Sequence, residues 1–331
     1  MDTMERRSRR STVYGPVLSW RLGRSLGIDP LLQPKTCTFD CLYCQLGRTY
    51  RKVSEPIEGL PLTRDVLKDL RRSLKLLDLD SVDYVTFSGS GEPSLNPELG
   101  DMIEAVKGIL DKPIAVLTNS SLLHKETVRR SLGKADLVVA KLDAPSQELL
   151  EAINRPIAGI LLEKIVEGIE SLRAEMMGRL AIQIMFFECK GGILSNTSLK
   201  DVEALILLTE RISPEEVQLN TPTRPPSEGY VLALEPNRME AIAEAFRRAL
   251  SKTRVVSRYE EREGLPPKRI CLGNIDEEIL GLINRRPCSF QEIARSLNLT
   301  EFIVKEHLLE LLRQKKITKM EYRGYEYYTV P

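Results

Sequence analysis

Between residues 24 and 250 the chain alternates short apolar runs with longer segments whose apolar residues recur three and four positions apart. The short runs predict β-strands and the longer segments predict amphipathic helices. The predicted strands are 25–29, 83–88, 114–118, 137–142, 180–187 and 216–220. The helical spacing is clearest in 64–77, 97–110, 199–212 and 237–250. This alternation favours an α/β fold with a parallel sheet covered by helices.

The pattern changes after residue 252. Residues 253–274 carry Arg, Glu, Gly and a Pro-Pro pair without helical periodicity, which predicts a linker. Residues 275–331 then predict three short helices and two strands that turn at Arg323-Gly324. That order resembles a winged helix. We therefore expect a main domain over 14–252, a linker over 253–274 and a small winged-helix domain over 275–331.

Composition excludes several classes of protein. The 331 residues include 48 Lys and Arg against 47 Asp and Glu, so a strong overall positive field for holding nucleic acid is absent. The basic N-terminus lacks the apolar segment of a signal peptide, and no apolar stretch approaches a membrane span. We expect a cytoplasmic protein with no membrane partner. Six cysteines, three of them clustered, do not form a secreted disulfide framework.

The clustered cysteines are Cys37, Cys41 and Cys44, within the stretch KTCTFDCLYCQLGR. A zinc site usually takes four protein ligands, or three including a histidine, and the nearest histidine is His124. Three thiolates on a cluster of four irons instead leave one iron open to an outside ligand. The cysteine pattern therefore favours an iron-sulfur cluster.

The spacing C-x3-C-x-Φ-C, with the aromatic Tyr43 before the last cysteine, resembles the radical S-adenosylmethionine superfamily. The resemblance implies a partial (β/α)6 barrel of TIM-like type, which matches the six predicted strand and helix units. It also implies a [4Fe-4S] cluster whose open iron is bound by S-adenosyl-L-methionine. Reductive cleavage of that cofactor would give a 5′-deoxyadenosyl radical, and an electron donor such as ferredoxin or flavodoxin is an implied partner.

In such barrels the working groups follow the carboxyl ends of the strands. After the second predicted strand comes SGSGEP, a variant of the superfamily's G-G-E-P motif, in which Glu92 would accept the ammonium group of the cofactor. The expected cofactor-binding residues are Tyr43, Gly89, Ser90, Gly91, Glu92, Thr118, Asn119 and Asn220. The expected catalytic residues are Lys141 and Asp143, which follow the fourth strand, and the expected metal ligands are Cys37, Cys41 and Cys44.

The lead-in at 14–30, the KLDAP and INRP stretches and the RPP at 224–226 look like proteins classed beside the wyosine-forming tRNA enzymes. Those enzymes carry a second cysteine trio before the radical loop, and this chain has no cysteine before Cys37. Three functions stay open: modification of a tRNA or RNA base, modification of a protein, peptide or small metabolite, and an iron-sulfur-sensing regulator. Phosphate contacts in the first case would come from RRSRR at 6–10, Arg48, Arg51, Lys52 and Arg155.

The predicted winged helix carries nine Lys and Arg and nine Asp and Glu between residues 276 and 331. A reader of DNA is usually more basic. We expect this domain to dock a partner outside the catalytic centre, and the alternative is that it covers the barrel mouth. Cys271, in the linker, stays open as an extra ligand or hydrogen donor.

Overall fold

The computed structural model describes residues 10–32, 34–192, 194–260 and 274–331. Its strands are β1 (Val13–Ser19), β2 (Gly23–Ile28), β3 (Thr36–Cys37), β4 (Arg51–Lys52), β5 (Tyr84–Phe87), β6 (Ile114–Thr118), β7 (Leu137–Lys141), β8 (Arg179–Met185), β9 (Phe187–Cys189), β10 (Glu216–Asn220), β11 (Val231–Ala233), β12 (Arg254–Ser257), β13 (Thr318–Tyr322) and β14 (Tyr325–Thr329). Its helices are α1 (Thr63–Leu74), α2 (Leu99–Lys107), α3 (Glu126–Leu132), α4 (Gln147–Asn154), α5 (Leu162–Glu175), α6 (Leu199–Ile212), α7 (Pro236–Ala249), α8 (Ile275–Ile283), α9 (Phe290–Leu297) and α10 (Glu301–Arg313).

One eight-stranded sheet, ordered β1-β2-β5-β6-β7-β8-β10-β12, curls into a partial barrel. The six strands expected from the sequence are β2, β5, β6, β7, β8 and β10, and they pair in parallel in their chain order. Each is followed by at least one covering helix. The predicted α/β architecture of a partial barrel is therefore confirmed.

The two edge strands are additions to that prediction. β1 runs antiparallel to β2, with an irregular register between Tyr14 and Val17 that flanks Gly15-Pro16. β12 pairs in parallel with β10, so residues 254–257 belong to the sheet and the predicted linker began too early. The pairing of β12 is stabilised by Val255, which packs in the core beneath the helices. Cys271 and most of the predicted linker lie outside the described residues.

Alternate residues of each strand face opposite sides of the sheet. Apolar residues such as Val85, Val138 and Ile182 pack outward into the large core under the helices. The opposite face lines the barrel lumen, where Leu22 packs with Ala181 and with residues of β6 and β7 in a small apolar layer. More polar lumen positions follow toward the carboxyl ends of the strands, which form the barrel mouth.

Residues 274–331, the C-terminal unit, contain α8, α9, α10 and the β13-β14 hairpin, in the order expected from the sequence. Side-chain caps begin all three helices, and Ser289 with Glu292 forms a full capping box at α9. The core of the unit also includes Tyr14 and Val17 of β1. The C-terminal unit thus packs against the antiparallel edge of the sheet. Within the described residues, no helix has the length and apolarity needed to cross a membrane.

Candidate functional site

The cysteine loop, residues 35–48, lies at the barrel mouth. Its first cysteine ends β3, and the Leu42 N–H donates to the carbonyl of Ile153, near the end of α4. Two internal turns follow, because the Cys44 N–H donates to the Cys41 carbonyl and the Gly47 N–H to the Cys44 carbonyl. All three cysteines are partly exposed free thiols. The loop backbone around the three cysteines is therefore fixed.

Two side-chain amides contact the cysteine sulfurs. Asn119 Nδ2 lies 3.4 Å from Cys37 Sγ, and Asn154 Nδ2 lies 3.4 Å from Cys41 Sγ. Burial raises the pKa of Cys37 to about 12 and that of Cys41 to about 11. Both groups are therefore neutral thiols at pH 7 without metal, and binding a metal requires them to release protons.

The donor set fits an iron-sulfur cluster better than a single ion. In the described part of the chain, no three His, Cys, Asp or Glu side chains converge closely enough to hold one metal ion. In a [4Fe-4S] cluster each cysteine binds a different iron, so the sulfurs need not converge on one point. Three partly exposed cysteines on a fixed loop, with amide donors beside two of their sulfurs, suit that larger group.

Glu92 lies in the glycine loop, residues 88–93, and is buried with 1% of its surface exposed. Its Oε1 accepts hydrogen bonds from Ser94 N, Ser94 Oγ and Thr118 Oγ1, at 3.1, 2.7 and 2.7 Å. Its Oε2 accepts one from Asn119 N at 2.6 Å. Burial raises the pKa of this carboxyl, and the four donors oppose that shift. Glu92 thus joins the loops after β5 and β6, which the sequence placed at one site.

The glycine loop lies against the cysteine loop at a point where only glycine fits. A Cβ on Gly91 would lie 1.6 Å from the Thr36 carbonyl oxygen, and the residue has a φ of +149°. Gly89, with a φ of +133°, approaches Asp29 so closely that a Cβ would lie 2.3 Å from its carboxyl carbon. These two glycines set the distance between the motif and the cysteines.

Ser90 does not face the mouth as expected for a cofactor contact. It is buried, and its Oγ donates to Asp29 Oδ2 at 2.7 Å. Asp29 Oδ1 accepts from the backbone N–H groups of Ser90, Leu31 and Leu32 at 3.2, 3.1 and 3.0 Å. Asp29 was not among the predicted site residues, although its place at the end of a predicted strand was the available signal.

Tyr43, Lys141 and Asp143 form one buried group beside Cys41. The Tyr43 hydroxyl and Asn154 Nδ2 both donate to Asp143 Oδ2, and Asp143 Oδ1 accepts from Met185 N at 2.8 Å. Lys141 Nζ lies 3.5 Å from Asp143 Oδ2 and 4.5 Å from the Tyr43 ring centroid. The Asp143 side chain is only 1% exposed, so it holds its neighbours in place, and Lys141 is the more accessible group at 19%.

Asn220 stands apart from this group. It ends β10, and its Oδ1 accepts from Thr221 N at 2.9 Å. Among the basic residues expected to contact phosphate, Arg48 and Arg155 both pair with Glu228, and Lys52 Nζ donates to the Arg155 carbonyl. Arg51 is exposed. Residues 6–9 of the RRSRR stretch lie outside the described residues.

The C-terminal unit contacts the site through Arg285. This side chain is 5% exposed, its Nε lies 3.1 Å from Asp29 Oδ2, and its Nη2 donates to the Ser11 carbonyl at 2.6 Å. The same unit also reaches the loop after β10, where the hydroxyls of Tyr322 and Tyr327 donate to the carbonyls of Pro222 and Thr223. Arg285 thus contacts the carboxylate that holds the glycine loop, and the expectation that this unit docks a partner outside the catalytic centre stays a prediction.

Comparison with known proteins gives consistent matches. A sequence profile described as the Radical SAM superfamily matches residues 34–188. A UPF0026 protein of Methanocaldococcus jannaschii is 32% identical over 320 residues, which cover 95% of this chain and 94% of that protein. A UPF0026 protein of Synechocystis sp. is 43% identical over 213 residues, covering 64% and 76%. The crystal structure of Streptococcus suis SuiB bound to S-adenosylmethionine has a similar fold, with a TM-score of 0.52 and 14% identity over 72% of this chain and 53% of that chain.

Proposed function

Because this chain belongs to the UPF0026 family and is a radical S-adenosylmethionine enzyme, we propose that it modifies a base of tRNA or another RNA. The superfamily uses a [4Fe-4S] cluster and S-adenosylmethionine. When bound, these two groups supply a 5′-deoxyadenosyl radical that abstracts hydrogen from a substrate.

Cys37, Cys41 and Cys44 are the proposed cluster ligands, and Asn119 and Asn154 donate hydrogen bonds to two of the sulfurs. Glu92 aligns Thr118 and Asn119 with the glycine loop. Among the described residues its Oε2 accepts a single hydrogen bond, which leaves this oxygen able to accept the ammonium group of the cofactor. The backbones of Gly89 and Gly91 allow the methionyl part to approach. We propose that Asn220 contacts the cofactor from the far side of the same site.

Lys141 is the proposed catalytic residue, because its ammonium group is the accessible polar group beside the cysteine loop. Asp143 and Tyr43 fix its position through the ion pair and the ring contact. A small cavity lined by Asn119, Lys141, Asp143 and Asn154 adjoins them.

The basic face of α1 is the observation that supports an RNA substrate. An exposed groove on this helix is lined by Arg64, Leu67, Lys68, Arg71, Arg72 and Lys75. The two acidic residues of the helix are used elsewhere, since Asp65 caps its start and Asp69 accepts from Thr12. α1 leads from the mouth end of β2 to the far end of β5, so a phosphate backbone bound along it extends to the mouth.

We further propose that residues 14–258 form the catalytic domain and that the C-terminal unit, residues 274–331, is a winged helix. The helices and hairpin occur in the order that such a domain requires. We propose that the enzyme belongs among the proteins classed beside the wyosine-forming tRNA enzymes, although it lacks the second cysteine trio that those enzymes carry. A ferredoxin or flavodoxin is the proposed electron donor.

Nucleoside analysis tests the RNA substrate. We expect total RNA from a strain lacking this gene to lose one modified nucleoside, measured by mass spectrometry after digestion. Complementation with the parent gene or with Cys288→Ala should restore it, because Cys288 is buried in the C-terminal unit, whereas Cys41→Ala should not. An unchanged nucleoside profile together with an altered peptide or metabolite would refute RNA as the substrate.

A further inference from the structure

Lys35 is the first residue of the cysteine loop, and only 3% of its surface is exposed. Lysine is rarely buried to this extent, because its ammonium group loses hydration. Its Nζ donates to the carbonyl of Gly47 at 2.5 Å. Gly47 closes the turn that begins at Cys44, since its N–H donates to the Cys44 carbonyl at 3.1 Å. The Lys35 side chain therefore connects the start of the cysteine loop to its last turn.

The backbone at Lys35 is held from two sides. Its carbonyl accepts a hydrogen bond from the Arg51 N–H of β4 at 3.1 Å. The next residue, Thr36, donates its N–H to the carbonyl of Ser90 in the glycine loop at 3.0 Å. The ammonium group is thus attached to a backbone that both neighbouring segments fix.

The ammonium group lies beside Cys44 and close to the other two cysteines. Burial lowers the pKa of Lys35, but the thiolate forms of Cys44, Cys37 and Cys41, together with a hydrogen bond to Cys44, raise it by more. In the described part of the chain, the charged groups with the largest effect on this pKa are these cysteines and include no carboxylate. The natural counter-charge of Lys35 is therefore the cysteine trio.

This counter-charge forms only when the cysteines lose their protons. In the metal-free protein, burial raises the pKa of Cys37 and Cys41, so both are neutral thiols at pH 7 and do not balance the charge of Lys35. A buried ammonium group without a negative partner is unfavourable. Three thiolates on a [4Fe-4S] cluster outweigh the charge of the oxidised core, so the bound group is net negative. Reduction adds a further negative charge, which a nearby cation stabilises.

We propose that the buried ammonium group of Lys35 raises the reduction potential of the cluster by holding a positive charge beside Cys44. The electron comes from the external donor, which is oxidised in turn, and Lys35 keeps its proton throughout. Lys35 acts through the thiolates and contacts no substrate in this role. The role rests on the cluster ligands of the proposed function and does not depend on RNA as the substrate.

A redox titration tests this role in the full-length protein, reconstituted with iron and sulfide and without S-adenosylmethionine. Iron content is measured first, and electron paramagnetic resonance then gives the reduced fraction at fixed ambient potentials. In Lys35→Met we expect the full iron content, with a ratio of reduced to oxidised cluster that is roughly tenfold lower at the same potential, or about 59 mV for one electron. Lys35→Arg keeps the charge and should restore a ratio close to that of the parent.

Lys107→Met is the control. Lys107 ends α2 and pairs at 2.7 Å with Asp136, which directly precedes β7, so the pair lies at the opposite end of the barrel from the mouth. Its loss should leave the ratio unchanged. A parent-like ratio in Lys35→Met with full iron content would refute the proposed role. An equal fall in Lys35→Arg or in Lys107→Met would refute it too, because neither result fits a specific charge at residue 35.

Two further outcomes also decide the matter. If Lys35→Met loses its cluster, a retained cluster with the parent ratio in Lys35→Arg supports the role of the charge, whereas cluster loss in both variants shows that Lys35 only packs the loop. A parent protein without an iron-sulfur chromophore would overturn the cluster ligands and the role of Lys35 together. An unchanged nucleoside profile, by contrast, would refute RNA as the substrate and leave the effect of Lys35 on the potential standing.

Discussion

Glu92 illustrates how much a single residue organises at this site. Its carboxylate accepts hydrogen bonds from the turn after the glycine loop and from the loop after β6. It therefore joins two loops before any cofactor binds. The sequence motif predicted a direct contact between Glu92 and the cofactor. The motif alone could not predict the hydrogen bonds from Thr118 and Asn119, because these residues follow another strand. Thr118 and Asn119 were expected as separate contacts and prove to be linked through this carboxylate.

Replacing Glu92 with Ala should preserve iron binding and weaken S-adenosylmethionine binding by about 1.5 to 3 kcal/mol, the typical contribution of a hydrogen bond to a charged group. Iron content and equilibrium binding after anaerobic reconstitution measure the two effects. Ser94→Ala is the matched control, because it removes one hydroxyl donor from Glu92 and leaves the carboxylate in place. Equal affinities for the Glu92→Ala variant and the parent would remove Glu92 from the site.

The second prediction for single residues concerns the three cysteines as cluster ligands. Reconstituted parent protein should contain about four irons per chain, and replacing any one of Cys37, Cys41 and Cys44 with Ala should lower that content strongly. Cys288→Ala should keep the full iron content, because this buried thiol lies in the C-terminal unit. Iron and sulfide analysis with absorption spectroscopy gives the measurement. A parent protein that holds one zinc and no iron-sulfur chromophore would contradict the ligand assignment.

Among the elements, α1 has two faces with different roles. Val66 and Leu70 are buried against the sheet, while the basic residues lie on the exposed face. Arg71→Gln combined with Arg72→Gln should weaken RNA binding and reduce the salt dependence, with the logarithmic slope falling by roughly 0.7 to 0.9 per lost phosphate contact. Arg248→Gln with Lys252→Gln removes the same charge from the region of α7 and serves as the control. An equal loss in both double variants would indicate a general charge effect and not a site on α1.

The start of α1 also carries a pH-dependent contact. Glu98 accepts hydrogen bonds from the Thr63 N–H and hydroxyl, each at 2.7 Å, and these lower the pKa of Glu98 below its ordinary value. Because the pKa of Glu98 is lower in the folded state, its ionised carboxylate stabilises the fold above the ordinary pKa of 4.5. This stabilisation is lost as the pH falls through the folded-state pKa of Glu98. Thr63→Val should therefore reduce the difference in unfolding free energy between neutral and acid pH. Thr253→Val, whose hydroxyl bonds to a carbonyl, should leave that difference unchanged.

The sequence predicted the six central strands because burial on both faces makes them short apolar runs. It did not predict β1, since the Gly15-Pro16 pair interrupts the pattern, or β12, since a four-residue edge strand beside a charged segment resembles a linker. Residues within one motif, such as the cysteines and Glu92, were recognisable locally. The contact of Arg285 with Asp29 spans 256 positions, and no local pattern marks such a pair.

At the scale of the whole molecule, the C-terminal unit holds the barrel through the ion pair of Arg285 and Asp29. Arg285→Met leaves a buried carboxylate without its cation, a change that typically costs about 3 to 5 kcal/mol. We expect weaker S-adenosylmethionine binding because Asp29 positions the glycine loop, and deletion of residues 275–331 should have the same effect. Calorimetric unfolding and cofactor titration separate the loss of stability from the loss of affinity.

Arg285→Lys should recover part of the cofactor affinity, which a purely structural loss would not explain. Arg323→Met is the control, because Arg323 lies on the same unit as Arg285 and pairs with the exposed Glu235 at the start of α7, and a surface pair contributes about 1 kcal/mol or less. Cofactor affinity equal to that of the parent in Arg285→Met would show that the C-terminal unit serves only to dock a partner.

The same ion pair has a consequence for biosynthesis. Arg285, which pairs with Asp29, is added to the growing chain 256 residues after it. Domains generally begin to fold from the N-terminus during synthesis. The nascent barrel therefore carries a carboxylate without its cation beside the glycine loop until Arg285 has been added. We expect ribosomes that stop before codon 285 to release chains that lack this ion pair, and the barrel of such chains to be cleaved by proteases faster than that of chains that include Arg285.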